Sequence, residues 1–130
     1  MARYQELMAM DIKIDKDRKI IEKTVTGQLT PELCMMVIYE IATIVNMHKD
    51  YEILIDIRDT EPVTEMYDML SIASEISKHG AGFANRIAFL VPKIEDRIRT
   101  IELWKSCIQA KGFAYDRFFD REAALEWLGV

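Results

Sequence analysis

The sequence predicts an α/β fold with a mostly parallel sheet and an antiparallel N-terminal hairpin, in the order β-β-α-β-α-β-α-β-α. Three observations carry that expectation. Ile53-Leu-Ile-Asp-Ile57 places four apolar residues, three of them β-branched, within five positions. Such a run is too short for a helix and suits a strand buried on both faces. Ile87-Ala-Phe-Leu-Val91 is a second continuous apolar run closed by a proline, Pro92. Around these runs apolar residues recur at helical spacing, so strands alternate with helices through right-handed crossovers.

The elements follow in order. Residues 10–15 alternate apolar and charged side chains, as a half-exposed strand does. Lys16-Asp-Arg18 turns the chain, and residues 20–26 return as a second strand that Gly27 is expected to break. Thr30-Pro-Glu32 starts a helix: Thr30 can accept from an orphan amide, Pro31 loses nothing at the first helical position, and Glu32 complements the positive end. Cys34, Val37, Ile38, Ile41, Ile44, Val45 and His48 form one face of that helix, which ends near Lys49. The strand over residues 51–57 then runs out into Arg58, Asp59, Thr60 and Glu61 and stops at Pro62.

A second helix is expected from Thr64, burying Met66, Met69, Leu70, Ala73 and Ile76 and ending at His79 with Gly80 as a left-handed cap. Ala81-Gly-Phe83 connects it to the strand over residues 87–91. A third helix extends from about Ile94 to Lys111, with Ile94, Ile98, Ile101, Trp104 and Ile108 on one face and Gly112 as its cap. Residues 113–119 form the last strand. Asp120 caps a short final helix anchored by Ala124, Leu125, Trp127 and Leu128. With no linker, low-complexity tract or internal repeat, the expectation is one domain.

Composition narrows the function classes. Half of the 130 residues are hydrophobic and 30% are charged, as in a globular protein rather than a disordered one. No apolar run approaches the roughly 20 residues that cross a bilayer. The opening stretch, residues 1–8, lacks the apolar core of a signal peptide, so a cytoplasmic location is expected. A formal charge of −5 argues against unspecific nucleic-acid binding. Lys93, Arg97, Arg99 and Lys105 are interleaved with Glu95, Asp96 and Glu102 rather than gathered in a basic patch. Cys34 and Cys107 have no partner at metal or redox spacing and read as small buried thiols. His48 and His79 each fall in the last turn of an expected helix, where capping or solvation suits them better than a metal.

The element order resembles the SpoIIAA-like fold of the STAS domains, the anti-sigma factor antagonists and the cytoplasmic domains of sulfate transporters. Gly27-Gln-Leu-Thr-Pro-Glu32 looks like the family's glycine-ended strand followed by a capped first helix. Ile53-Leu-Ile-Asp-Ile-Arg58 looks like its central strand with an aspartate at the exit. Asp120-Arg-Glu-Ala-Ala-Leu-Glu-Trp-Leu128 is similar to the closing helix of compact, stand-alone members. The resemblance spans about residues 10–128 and rests on element order. Antagonists carry an Asp-Ser-Ser-Gly-like motif after the central strand, with a serine that is phosphorylated. Laid without gaps, that motif falls on Thr64-Glu-Met-Tyr67, and the acceptor position falls on Glu65. A standard serine switch is therefore not implied, and Thr60 and Thr64 are the nearby hydroxyls that could take a phosphate.

The expected working surface is the carboxyl end of the central strand, where open α/β sheets place their sites. Asp56, Arg58, Asp59 and Glu61 are the densest set of ionisable groups at a strand exit, and each has a structural reading beside the functional one. Asp56 could serve loop amides, and Arg58 could pair with Asp59 in solvent. Thr64 could simply cap its helix. The sequence shows no nucleophile–base pair, no metal set and no cofactor motif. It therefore points to a non-enzymatic regulatory or interaction domain that docks a partner protein through the loop over residues 58–64 and the helix start that follows, with Asp56, Arg58, Asp59, Thr60, Thr64 and Glu65 as the contacting residues. A small apolar ligand held between helices and sheet is the alternative, on fold analogy alone. Met35, Met36, Met66 and Met69 flank the central strand as core filling or as an adaptable surface. Tyr39, Leu103 and Cys107 lie off the main apolar stripes of their helices, and from this surplus a homodimer is expected.

Overall fold

In the computed structural model, which describes residues 12–62, 86–109 and 114–130, the first alternating run is strand β1 (Ile12–Asp15). It pairs antiparallel with β2 (Ile20–Leu29). Asp15 builds the turn between them, because its Oδ1 accepts from the amides of Asp17 and Arg18 at 3.0 Å each. Helix α1 (Pro31–Met47) starts as its sequence dictates, with Thr30 Oγ1 accepting from the Leu33 amide at 3.2 Å. Strand β3 (Glu52–Pro62) follows, and β4 (Ile87–Leu90), α2 (Glu95–Gln109), β5 (Tyr115–Phe118) and α3 (Arg121–Leu128) complete the described elements. The sheet has five strands in the order β1-β2-β3-β4-β5 and is parallel from β2 to β5.

Period-two alternation sends the side chains of β3 and β4 to opposite faces, and both faces are covered. On one face Ile53, Ile55, Ile57, Ile87, Phe89 and Val91 pack with Ile41 of α1 and Ile101 of α2. On the other, Leu54, Ala88 and Leu90 meet Ala124, Leu125 and Leu128 of α3. The four side chains expected deepest, Ile53, Ile55, Phe89 and Val91, are all buried, and residues 52–57 lie in the central strand. Asp120 caps α3 through Oδ1, which accepts from the Ala123 amide at 2.9 Å, and Gly129 closes it in the left-handed region.

Some expectations need correction. Gly27 does not break β2: it sits inside the strand at φ +89, opposite Thr60, and pairing continues to Leu29 against Pro62. Glycine tolerates this conformation without the Cβ penalty, so the chain bends and the ladder survives. Likewise Arg58 to Glu61 are not a loop after β3 but its second half. Ile94, read as part of the buried stripe of α2, is 55% exposed. It precedes the first helical residue, accepting from the Ile98 amide, and so stands outside the packed face. The helix expected from Thr64, the cap Gly80 and the connection over residues 81–83 lie outside the described residues, as does Gly112. The side chains of Leu103, Trp104, Cys107 and Ile108 are also outside them.

One pairing crosses the first core. Lys23 of β2 and Glu40 of α1 are 3% and 8% exposed, and Nζ lies 3.0 Å from Oε1. Lys23 occupies the alternating position between Ile21 and Val25, both in that core. Its charge is therefore held where an isolated ion would be costly, and Glu40 compensates it.

These local structures lead to three expected outcomes. Lys23→Met alone leaves a buried carboxylate and should lower stability by about 3–5 kcal/mol, whereas Lys23→Met with Glu40→Leu should recover most of that loss. Urea unfolding of the three proteins checks this, and equal loss in the single and double variants would contradict it. Gly27→Ala should cost about 1–2 kcal/mol from backbone strain alone, since a Cβ there meets nothing within 4 Å. Asp120→Ala should cost about 1 kcal/mol through the lost cap, by the same unfolding measurement.

Candidate functional site

The neighbours of β3 end at different heights. β4 pairs with it only from Ile53 to Asp56, whereas β2 accompanies it to Pro62. β1, described from Ile12, pairs with β2 as far as Lys23. Among the described residues, the ends of β2 and β3 thus form a two-stranded ribbon that overhangs the carboxyl edge of the sheet. At about 3.3 Å per residue the overhang is roughly 15–20 Å long. Its inner side is anchored by Val25 and Ile57, both buried, and by Leu29 packed against the same core. Its outer side carries Asp59 and Glu61 of β3, two apart and opposite to buried Thr60 in the alternation; Arg58 of β3 and Thr26, Gly27 and Gln28 of β2 are also exposed.

A register shift begins the ribbon. Thr24 faces Asp56 while Thr26 faces Asp59, so β3 spends one residue more than β2 over this stretch. Such a bulge is uncommon between parallel strands and re-aims the side chains beside it. Asp56 holds it in place. Its Oδ1 accepts from the backbone amide and from Nε of Arg58, each at 3.0 Å, and its Oδ2 accepts from Nη2 at 2.9 Å. This forked pairing raises the Arg58 guanidinium above its ordinary value, with smaller help from Asp59 and Asp120. The partner of Arg58 is therefore Asp56, not the Asp59 that the sequence suggested. Asp59 stays exposed on the outer side.

Thr60 departs furthest from its expected setting. Expected in an open loop, it is buried in the strand. Its hydroxyl donates to the Ile57 carbonyl at 2.7 Å and accepts from Nη2 of Arg97 at 2.9 Å. Nη1 of Arg97 also donates to the Thr60 carbonyl, at 2.7 Å. Arg97 comes from the first turn of α2 and is 6% exposed. No carboxylate among the described residues pairs with it, and desolvation lowers its pKa from the ordinary guanidinium value. An arginine remains cationic nonetheless. The sequence did carry a signal for this residue: position 97 lies on the same helical stripe as Ile101, where a charge is out of place.

Thr64 and Glu65 lie outside the described residues. Of the site residues that are described, the structure gathers Asp56, Arg58, Asp59 and Thr60 on one strand end and adds Arg97 to them. His48 stands just past α1 with its ring 4.8 Å from that of Tyr51, and His79 lies outside the described residues. Among the described residues there is no group of three or more side chains suited to hold a metal ion. Nor is any helix among them long and apolar enough to cross a membrane.

No protein-family model matches the chain. No curated protein matches it either. Among solved structures it is similar to an uncharacterized protein of the DUF3478 family from Shewanella loihica PV-4 that has a SpoIIAA-like fold. The two are 19% identical, the similarity covers 90% of each chain, and the TM-score is 0.58. At that identity the likeness concerns the fold alone. It agrees with the antiparallel first pair, the parallel strands that follow and the helices on both faces: the chain has a SpoIIAA-like α/β fold.

Proposed function

We propose that this chain is a non-enzymatic regulatory or interaction domain that docks a basic segment of a partner protein on the outer side of the β2–β3 ribbon. The observation that carries the reading is the division of charge on that ribbon. Arg58 is already neutralised by Asp56 at hydrogen-bond distance, whereas Asp59 and Glu61 are exposed beyond it. The surface offered is therefore acidic, and a cationic partner complements it. Asp56 and the Thr60 hydroxyl are engaged in holding the strand end, which suits recognition on a fixed scaffold better than proton transfer. A phosphate gate, if this domain has one, rests on Thr64 rather than Thr60, whose hydroxyl is buried and occupied.

The same reading includes self-association. Tyr39 and Met47 lie two turns apart on α1, where they are 46% and 74% exposed. Apolar side chains so placed favour burial against a second copy. Sedimentation equilibrium should show twice the 15.1 kDa chain mass, and a single monomeric species at high protein concentration would overturn this part.

Docking is tested by placing a photo-cross-linking amino acid at position 61, or at position 17 in the hairpin turn at the opposite end of the sheet, in the protein's own cells. A discrete cross-linked product is expected from position 61 only, and it should disappear with Asp59→Lys. Products of equal yield from both positions, or none from position 61, would overturn the assignment.

A further inference from the structure

Beyond Asp56, β3 has no described strand on its β4 side, yet the chain there stays extended and paired with β2 for six more residues. Backbone groups on such an overhang need partners, because an unpaired buried carbonyl is costly. Arg97 supplies the missing one. Its two terminal nitrogens reach the carbonyl and the hydroxyl of Thr60, and that hydroxyl passes a hydrogen bond back to the Ile57 carbonyl across the bulge. One side chain of α2 thereby stands where the next strand would have stood.

The choice of arginine is informative. A guanidinium that is 6% exposed, with both of its hydrogen-bond partners on a neutral residue, is an expensive way to stabilise a fold. An apolar residue at this stripe position would pack against the core at lower cost. What arginine supplies, and an apolar residue cannot, is a planar fork that fixes two acceptors at once.

We propose that Arg97 is a positioning residue: it latches the β2–β3 ribbon to α2 and holds the exposed residues Arg58, Asp59 and Glu61 in the one arrangement that docks a partner. This rests on the docking role assigned to the ribbon above. Without the latch the ribbon samples several shapes, and the apparent affinity falls by the fraction of molecules still in the competent one.

The latch is measured without any partner, by amide exchange read residue by residue with NMR, alongside urea unfolding of the whole chain. In Arg97→Met the amides of Asp59, Thr60 and Glu61 should exchange about tenfold faster, a local opening, while those of Ile53 to Ile55 are unchanged. The urea midpoint should hold or rise, because a buried unpaired charge has been removed. A purely structural role would instead lower the midpoint and speed exchange everywhere, and that result overturns the proposal, as does unchanged exchange in the ribbon. Arg97→Lys, which reaches one acceptor rather than two, should restore protection only in part; full restoration would show that charge alone suffices and overturn the fork. Thr60→Val provides a second variant that does not touch α2. It should loosen the same amides to a smaller degree, and Thr60→Ser should not. If Arg97→Met fails to fold, local opening in Thr60→Val supports the latch and its absence overturns it. Cross-linking from position 61 then separates the two claims. Faster exchange with reduced cross-linking supports both, and faster exchange with undiminished cross-linking overturns the dependence of docking on the latch. Absence of a cross-link in the unmodified protein refutes the docking role while exchange still decides the latch.

Discussion

The parallel ladder between β2 and β3 fixes where everything else can go. Over its first half β3 is flanked on both sides and covered on both faces, so Ile53, Leu54 and Ile55 are fully or almost fully removed from water. Each such side chain contributes about 1.5–3 kcal/mol relative to exposure, and strand register is tightly specified where both faces are buried. Over its second half the same ladder continues, among the described residues, with β2 alone. The stable half therefore serves as the root from which the ribbon projects, and the bulge at Asp56 is the joint between them.

Among the described residues, two buried cations interrupt this apolar scheme, and they differ in kind. Lys23 has Glu40 within 3.0 Å and pins β2 to α1, a pairing that excludes slipped alternatives because a one-residue slip would send the lysine to the wrong face. Arg97 is held by a carbonyl and a hydroxyl instead of a carboxylate. The first ties two layers of the core. The second ties a helix to a strand end that carries exposed charge, and so links packing to the working edge.

Much of the fold was legible because its signals are local. The runs at Ile53 and Ile87 state their own burial, Thr30 and Asp120 state where helices begin, and the alternation before Asp15 states a hairpin strand. What could not be read depends on partners distant in sequence. Gly27 signals a break when considered alone, and it continues a strand only because β3 runs on opposite it. The tract from Arg58 to Glu61 has the composition of a loop, yet the forked grip of Asp56 and the arrival of Arg97, 37 residues beyond Thr60, make it a strand. Composition did place Asp56, Arg58 and Asp59 toward the carboxyl end of the central strand, and they lie in the strand itself rather than in a loop beyond it. The burial of Thr60 was hidden because nothing near it in sequence reveals what covers it.

The two ends of the sheet show why the overhang rather than the opposite edge is the surface to consider. At the amino-terminal end several charged groups are tied between elements, and the exposed ones of the hairpin turn, Lys16, Asp17 and Arg18, are of mixed sign. Lys19 pairs with Asp50 at 2.8 Å, and the Lys19 carbonyl accepts from the Glu52 amide. Glu52 in turn accepts from the Arg86 amide at 2.7 Å, while Nη1 of Arg86 donates to the Trp127 carbonyl at 2.9 Å. These bonds join the hairpin, β3, the entry to β4 and α3 in one continuous series. At the carboxyl end Asp56 and Arg58 satisfy each other within the strand, so Asp59 and Glu61 are left facing water. Exposed charge of one sign on a rigid projection has little to add to folding and much to offer an incoming cation. The asymmetry of the two ends follows directly from the different lengths of β2, β3 and β4.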